Sequence, residues 1–140
     1  MGVFVMARRK LNWWQCPKTL KLRLRGYNEQ GKRYGFKPIP FDKFEYVLKG
    51  RYLHGVSPLF RSCCYCGRAL ERKGPSGVSF DHTIALSRGG THGLENMTFC
   101  CRTCQRCKGN WSVDFYVKMV EFLAKHGMLK EFFRSFRRRY

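Results

Sequence analysis

Apolar and basic residues alternate in the first third of the chain. In residues 20–25 leucine takes every second position and lysine or arginine takes the others, a period of two that is typical of a half-buried strand with one charged face. A turn at residues 28–31 and a returning strand over residues 32–37, ended by Pro38, complete a predicted hairpin. The basic face of this hairpin is either an arm that grips phosphates or a solvated surface.

Helical patterns occur on both sides of the middle of the chain. Asp42 is placed to cap a short helix that runs through Leu48 and is closed by Gly50. Ser112 is placed to cap a longer helix that stops at Gly127. One face of this longer helix is predicted to pack on the core, and its members are Phe115, Met119, Phe122 and Leu123.

Basic side chains are spread along the whole chain. Lysine and arginine number 28 against nine acidic residues, so the formal net charge is +19. Residues 1–60 hold 13 basic and three acidic side chains, residues 61–112 hold eight and three, and residues 113–140 hold seven and three. The last block is expected to contain a second short helix from Leu129 and a cationic tail at residues 136–140. Such a surface attracts polyanions, so the expected partner is nucleic acid and not a membrane.

The order of the first residues bears on the compartment. The apolar residues 1–6 precede the basic residues 8–10, the reverse of the order in an export signal. We therefore expect an intracellular protein, in the cytoplasm or, within an organellar assembly, in an organelle matrix. In a reducing compartment, paired cysteines are more often metal ligands than disulfides.

Two C-x-x-C pairs predict a zinc site in the middle of the chain. Cys63 and Cys66 form the first pair, and Cys101 and Cys104 form a second pair 35 residues later. Zinc takes four such ligands in a tetrahedron and staples distant segments of a small domain. Cys107 is also spaced as a partner of Cys104, so spacing alone leaves the second pair open. The cysteines outside the chosen four are expected to be buried thiols, and they are Cys16, Cys64, Cys100 and Cys107.

An acid and an imidazole interrupt the apolar, strand-like residues 78–86, where Asp81 and His82 are adjacent. The segments that follow are Ser87-Arg88-Gly89-Gly90, Glu95-Asn96-Met97, the second cysteine pair and Lys108-Gly109-Asn110. Together these residues resemble the HNH endonuclease family over about residues 60–112.

The resemblance selects the second cysteine pair. The family pattern has a strand before the second cysteine pair and a Lys-Gly sequence after it. Residues 96–99 and Lys108-Gly109 match these positions only if Cys101 and Cys104 are the ligands. The implied fold is α+β, a small ββα-metal finger of two strands and a helix, stapled by the four-cysteine zinc site. The expected parts are a basic N-terminal extension over residues 1–55, the zinc domain over residues 56–112 and C-terminal helices with a basic tail over residues 113–140.

The family's site residues carry over by position. The resemblance implies that Asp81 and Gln105 hold a catalytic divalent ion, magnesium or similar. It further implies that His82 activates water and that Asn96 braces the loop that orients His82. The implied contacts to the substrate phosphate are Arg88, Arg102, Arg106 and Lys108. Neighbouring strand residues alternate faces, so Asp81 and His82 converge only if the local backbone is twisted or bulged.

Gln105 departs from the family pattern, which has Asn or His at this position. Its extra methylene displaces the carbonyl oxygen, and a shift of about 1 Å costs roughly a hundredfold in rate. His92, in the same domain, is expected to be a solvated loop histidine.

Two functions therefore stay open. The first is a metal-dependent HNH endonuclease that hydrolyses nucleic acid, with DNA favoured over RNA. The second is a catalytically decayed, HNH-derived zinc protein that binds nucleic acid as a structural subunit of a ribosome or other nucleoprotein assembly. A zinc-ribbon factor that only mimics the motif is a third reading, and it predicts one metal ion per chain instead of two.

Overall fold

The computed structural model describes residues 12–49 and 61–137, and these form five α-helices and one two-stranded sheet. The elements are α1 (Pro17–Arg33), α2 (Phe41–Leu48), β1 (Val78–His82), β2 (Met97–Cys101), α3 (Arg102–Lys108), α4 (Val113–Lys125) and α5 (Leu129–Arg137). This is the expected α+β architecture, and β1, β2 and α3 form its ββα finger. The predicted helix closure at Gly50, the residues before 12 and the tail beyond 137 lie outside the described residues.

Within the described residues, no helix combines the length and the apolar character needed to cross a membrane.

The predicted N-terminal hairpin is wrong, because this segment forms the helix α1. The buried side chains Leu20, Leu24 and Tyr27 recur every three or four positions, which is the period of a helix. Leu22, which the strand pattern placed on the same face as Leu20, is 55 % exposed. A short run of alternating leucines is compatible in part with the strand period of two and in part with the helical period of about 3.6. Here the longer helical pattern decides which side chains are buried.

The short helix α2 ends at Leu48 as predicted, but Asp42 does not cap it. The N-cap position is Pro40, and Asp42 lies in the first turn. Pro40 has the extended backbone conformation of a cap residue and brings no side-chain acceptor. An acidic group in the first turn still interacts favourably with the helix dipole.

The two strands pair antiparallel and form the centre of the core. Phe80 faces Phe99 across the ladder, with ring centroids 5.2 Å apart. Phe80 also contacts Phe44 of α2, at 5.3 Å between centroids, and Trp13 packs on Phe99 at 5.1 Å. The residues before the finger therefore cover its sheet, and the core is shared between the two parts.

The C-terminal helices occur where the sequence predicts them, but only part of the predicted face of α4 packs on the core. The Ser112 hydroxyl accepts a hydrogen bond from the backbone N–H of Phe115 at 3.2 Å, as expected of a cap. Phe115 and Phe122 are 57 % and 58 % exposed, whereas Tyr116 and Val120 are buried. Met119 of the predicted face packs half-buried against the core, as expected, and the ring of Tyr116, outside that face, packs edge-on against Tyr65 in the first cysteine turn. Gly127, with φ +67°, follows the helix end.

Candidate active site

The four chosen cysteines form one cluster. Cys63 and Cys66 lie in a turn before β1, Cys101 ends β2, and Cys104 lies on α3. All four sulfur atoms lie within 4.8 Å of one another, and the Sγ atoms of Cys66 and Cys101 are 3.9 Å apart. A zinc tetrahedron with Zn–S bonds of about 2.3 Å has edges of about 3.8 Å. The cluster is therefore compatible with a structural zinc ion.

The remaining cysteines divide into two pairs. Cys100 and Cys107 are buried, as predicted. Cys64 is exposed and Cys16 is half-buried, so the expectation of burial is wrong for both. Cys64 stands in the turn between two cluster cysteines, where the sulfurs on either side turn inward and its own side chain is left outside. Cys16 occupies the N-cap position of α1, at the edge of the core.

Asp81 lies in a buried ion pair. Its Oδ2 accepts a hydrogen bond from the Tyr65 hydroxyl at 2.8 Å and lies 3.4 Å from the Nζ atom of Lys108. Burial raises the pKa of the Asp81 carboxyl, and the charge of Lys108 and the Tyr65 hydrogen bond oppose that rise. Lys108 is 1 % exposed. In this arrangement its ammonium group neutralises Asp81 and is not presented to an external phosphate.

His82 ends β1 and is held on two sides. Its Nε2 lies 2.9 Å from the Nδ1 of His92, and its ring stacks on Tyr27 of α1 with centroids 3.9 Å apart and planes 14° from parallel. Burial lowers the pKa of the His82 imidazole to about 4, and the neighbouring His92 and Lys108 add to the shift. The ring is therefore neutral near pH 7.

His92 is not the solvated loop residue that the sequence predicts. It is 9 % exposed, and its ring stacks on Tyr27 at 4.7 Å between centroids. Its Nε2 lies 2.9 Å from the Oδ1 of Asn28. The Tyr27 hydroxyl also donates to the Gly93 carbonyl at 3.1 Å. The loop histidine is buried because α1 covers the loop, which a hairpin in place of α1 does not predict.

Asn96 ties together the loop that follows His82. Its Oδ1 accepts from the Ile84 backbone N–H at 2.8 Å. Its Nδ2 donates to the Ile84 carbonyl at 3.0 Å and to the Thr91 carbonyl at 2.7 Å. A buried amide with all these partners fixes the path of the chain on both sides of the loop.

Asp81, His82 and Gln105 line one cavity of about 290 Å³. The strand pairing continues in register through His82, so no bulge is needed to bring the acid and the imidazole together. The cavity lies at the end of β1, between α1 and α3, where side chains from both strand faces reach it. The cavity is also lined by Gln30 and Arg33 of α1 and by Tyr34, the C-cap residue of that helix.

The Gln105 side chain has partners on β1. The Ser79 hydroxyl donates to its Oε1, and its Nε2 donates to the Phe80 carbonyl at 3.3 Å. The amide oxygen expected at the catalytic ion is thus already hydrogen-bonded.

The three arginines expected at the phosphate are not among the described residues that line the cavity. Arg88 is exposed, and its Nε donates to the Asn110 carbonyl at 2.7 Å. Arg102 and Arg106 lie on α3, half-buried and exposed respectively. An arginine that does line the cavity is Arg33 of α1.

Sequence reasoning missed the contribution of α1 altogether. Tyr27, Asn28 and Arg33 reach the candidate site, but the strand interpretation gave them no place in it. The helical spacing of Leu20, Leu24 and Tyr27 is the signal that could have identified α1 and its buried face.

Comparison with known proteins gives one match. The HNH endonuclease family model matches residues 63–110, which include both cysteine pairs, Asp81, His82 and Asn96. No curated protein and no solved structure matches the chain. Helices α1 and α2 lie outside the matched residues. Residues 63–110 therefore match the HNH endonuclease family, and the match indicates a nuclease-type function and nucleic acid as the partner.

Proposed function

We propose that this protein is a metal-dependent endonuclease that hydrolyses phosphodiester bonds, with DNA as the preferred substrate. The observation that carries the proposal is the meeting of Asp81, His82 and Arg33 at one cavity. Phosphodiester hydrolysis needs a base for the attacking water, a cation for the developing charge and groups that hold the phosphate. The net charge of +19 supports a polyanionic substrate.

His82 is the proposed general base. Its imidazole is neutral near pH 7, so one ring nitrogen is free to accept a proton from water. The stacking of Tyr27 and the loop bonds of Asn96 fix the ring and the backbone that follows it. Both are therefore proposed to position the base.

Asp81 is the proposed ligand of a divalent ion such as magnesium. A carboxylate is the ligand type that magnesium prefers, and Asp81 lines the cavity, where Lys108 and Tyr65 oppose the rise in its pKa that burial causes. When bound, such an ion neutralises charge on the phosphoryl oxygens and on the leaving O3′. Gln105 joins it only if its amide oxygen exchanges the Ser79 hydroxyl for the ion. Arg33 is proposed to hold the phosphate, with Arg88, Arg102 and Arg106 as contacts along the substrate.

Zinc in the cysteine cluster is proposed to have a structural role. It joins the turn at residues 63–66 to the junction of β2 and α3. That junction leads into α3, which carries Gln105 and Lys108. A bound zinc ion would therefore tie α3, which carries the partner of Asp81, to the turn at residues 63–66.

A second function is favoured by one observation. Both expected ligands of the catalytic ion already have protein partners, Gln105 with Ser79 and Asp81 with Lys108. This arrangement suits a ββα finger that has lost catalytic activity and binds nucleic acid as part of a ribosome or other nucleoprotein assembly.

Incubation of the zinc-loaded chain with supercoiled plasmid and magnesium separates the two functions. We expect nicked plasmid with the parent protein and a loss of roughly 10²–10⁴-fold with His82→Ala. The matched control is His126→Ala, at an exposed histidine that follows α4, and it is expected to nick at the parental rate. Undiminished nicking by His82→Ala contradicts the base assignment.

A parent that binds plasmid without nicking it supports the assembly function. In that case Gln105→Asn is the informative variant, because a gain of nicking identifies Gln105 as the weakened ligand. A parallel reaction with RNA of matched length tests the preference for DNA, and faster cleavage of the RNA contradicts it.

A further inference from the structure

Helix α1 lies outside the HNH match, yet its side chains contact both histidines of the candidate site. Tyr27 stacks on both rings, at 3.9 Å from His82 and 4.7 Å from His92 between centroids. Three polar side chains then form a chain that leads away from the cavity. The Nε2 of His82 meets the Nδ1 of His92, and the Nε2 of His92 meets the Oδ1 of Asn28, both at 2.9 Å.

The orientation of the Asn28 amide is fixed by the backbone. Its Oδ1 accepts from the Ile39 N–H at 2.9 Å, and its Nδ2 donates to the Ile39 carbonyl at 3.0 Å. A flipped amide would put donor against donor and acceptor against acceptor. The atom that faces His92 is therefore an oxygen, which only accepts.

The proton positions follow from this oxygen. The Nε2 of His92 donates to Asn28, so in the neutral ring the Nδ1 of His92 is an acceptor. Burial lowers the pKa of His92, which favours the neutral ring near pH 7. The partner atom, Nε2 of His82, must then carry the proton and donate it to His92. In a neutral imidazole this leaves Nδ1 of His82 unprotonated.

We propose that Asn28 and His92 are positioning residues that hold His82 in the Nε2–H tautomer, so that Nδ1 is the atom that takes the proton from water. The inference rests on the proposed function, and it deepens that function by assigning the orientation of the base to a helix outside the HNH domain. The tautomer of a histidine is commonly set by the hydrogen bond at its other ring nitrogen. For His82 that bond goes to His92, which is oriented by Asn28, and Asn28 is in turn oriented by the backbone of Ile39.

Gly31 of α1 lies directly against the ring of His92, with no space for a side chain. This residue of α1 is buried, and a Cβ atom placed on it would lie 2.5 Å from the His92 ring. The ring would have to move, because real Cβ atoms do not approach so closely. Gly26 on the same helix has no atom within 4 Å of the corresponding position. The pair Gly31→Ala and Gly26→Ala therefore separates displacement of His92 from the general effect of alanine in a helix.

The experiment measures the histidine tautomers by ¹⁵N–¹H correlation spectra of the full, zinc-loaded chain at neutral pH. We expect both His82 and His92 to carry the proton on Nε2 and to have an unprotonated Nδ1. We expect His92→Phe, which keeps a ring against Tyr27, and Gly31→Ala to give a mixture of His82 tautomers. Gly26→Ala is expected to keep the parental pattern. A His82 ring with its proton on Nδ1 in the parent overturns the proposal, and so does an unchanged pattern in both His92→Phe and Gly31→Ala.

Asn28→Leu removes the oxygen that accepts from the Nε2 of His92, so it is expected to lose the parental tautomers of both histidines. Parental tautomers in Asn28→Leu contradict the role of the Asn28 oxygen. The spectra need no cleavage, so the expected tautomers in a protein that does not nick DNA overturn the proposed function alone. Nicking by a protein with the opposite tautomer overturns the present inference alone.

Discussion

The ββα finger and helix α1 hold the candidate site by different means. In the finger, the site residues are held by the cysteine cluster, the Asp81–Lys108 ion pair and the hydrogen bonds of Asn96. Helix α1 lies outside the HNH match and acts through the stacked ring of Tyr27 and the amide of Asn28. The comparison teaches that the proposed base and the proposed metal ligand lie on the finger, whereas part of the set that orients the base comes from α1.

The two parts also differ in what stabilises them. The finger is small, and a zinc ion in its cysteine cluster would supply folding free energy that its own core does not. Helix α1 is held by apolar burial, with Leu20, Leu24 and Tyr27 each no more than 3 % exposed. Loss of the metal should therefore affect the finger first and reach α1 through the shared sheet.

The largest expected effect comes from removing one cluster sulfur. Cys104→Ser should abolish tight zinc binding and unfold the finger, because structural zinc sites of this type contribute about 10–16 kcal/mol of apparent binding free energy in small peptides. Metal analysis and thermal unfolding measure both effects. Cys64→Ser, at an exposed cysteine of the same turn, is the control and should keep one zinc per chain. A Cys104→Ser protein with parental zinc content and Tm would show that the cluster is not a metal site.

The next effect concerns the buried pair within the finger. Lys108→Met should lower the free energy of unfolding by about 3–5 kcal/mol, because it leaves the Asp81 carboxylate buried without its cation. Urea denaturation measures the loss, with Lys118→Met on the exposed side of α4 as the control. The double variant Asp81→Asn with Lys108→Met should recover much of the stability, since no charge then remains unpaired. Equal losses in the single and double variants would contradict the pairing.

A smaller effect is expected where α1 meets the loop. Tyr27→Phe keeps the stacked ring and removes only the hydrogen bond to the Gly93 carbonyl, 3.1 Å long, so we expect a loss of about 1 kcal/mol. Denaturant unfolding measures it. Tyr46→Phe, at a tyrosine that is 81 % exposed, should cause no change. A loss as large as that of Lys108→Met would mean that the two regions are not stabilised as differently as the contacts indicate.

The finger could be predicted from the sequence because its restraints are chemical. Two C-x-x-C pairs admit few partners, and the family pattern chose Cys101 and Cys104 over Cys107, which the cluster confirms. The positions of Asp81 and His82 on β1 followed from the apolar run around them. The cysteine pairs and the Asp81-His82 pair are recognised by residue type at fixed spacing, so their identification does not depend on how the rest of the chain packs.

Helix α1 could not be predicted in the same way, because its signal was ambiguous over a short window. Leu20, Leu22 and Leu24 fit a strand, and only the continuation to Tyr27 separates the helical period from it. The burial of His92 could not be foreseen either, since it depends on a helix more than 50 residues earlier in the chain. Likewise the burial of Tyr116 on α4 involves its contact with Tyr65, which lies about 50 residues earlier in the chain and which no local pattern contains.

The most direct test of the central claim is the single-turnover rate of plasmid cleavage by Gly31→Ala beside Gly26→Ala. The account predicts that Gly26→Ala cleaves at the parental rate, while Gly31→Ala binds DNA normally and cleaves roughly a hundredfold more slowly, because the ring that orients His82 is displaced. Equal cleavage by the two variants, with the finger folded and zinc bound in both, would contradict the claim that α1 completes the site.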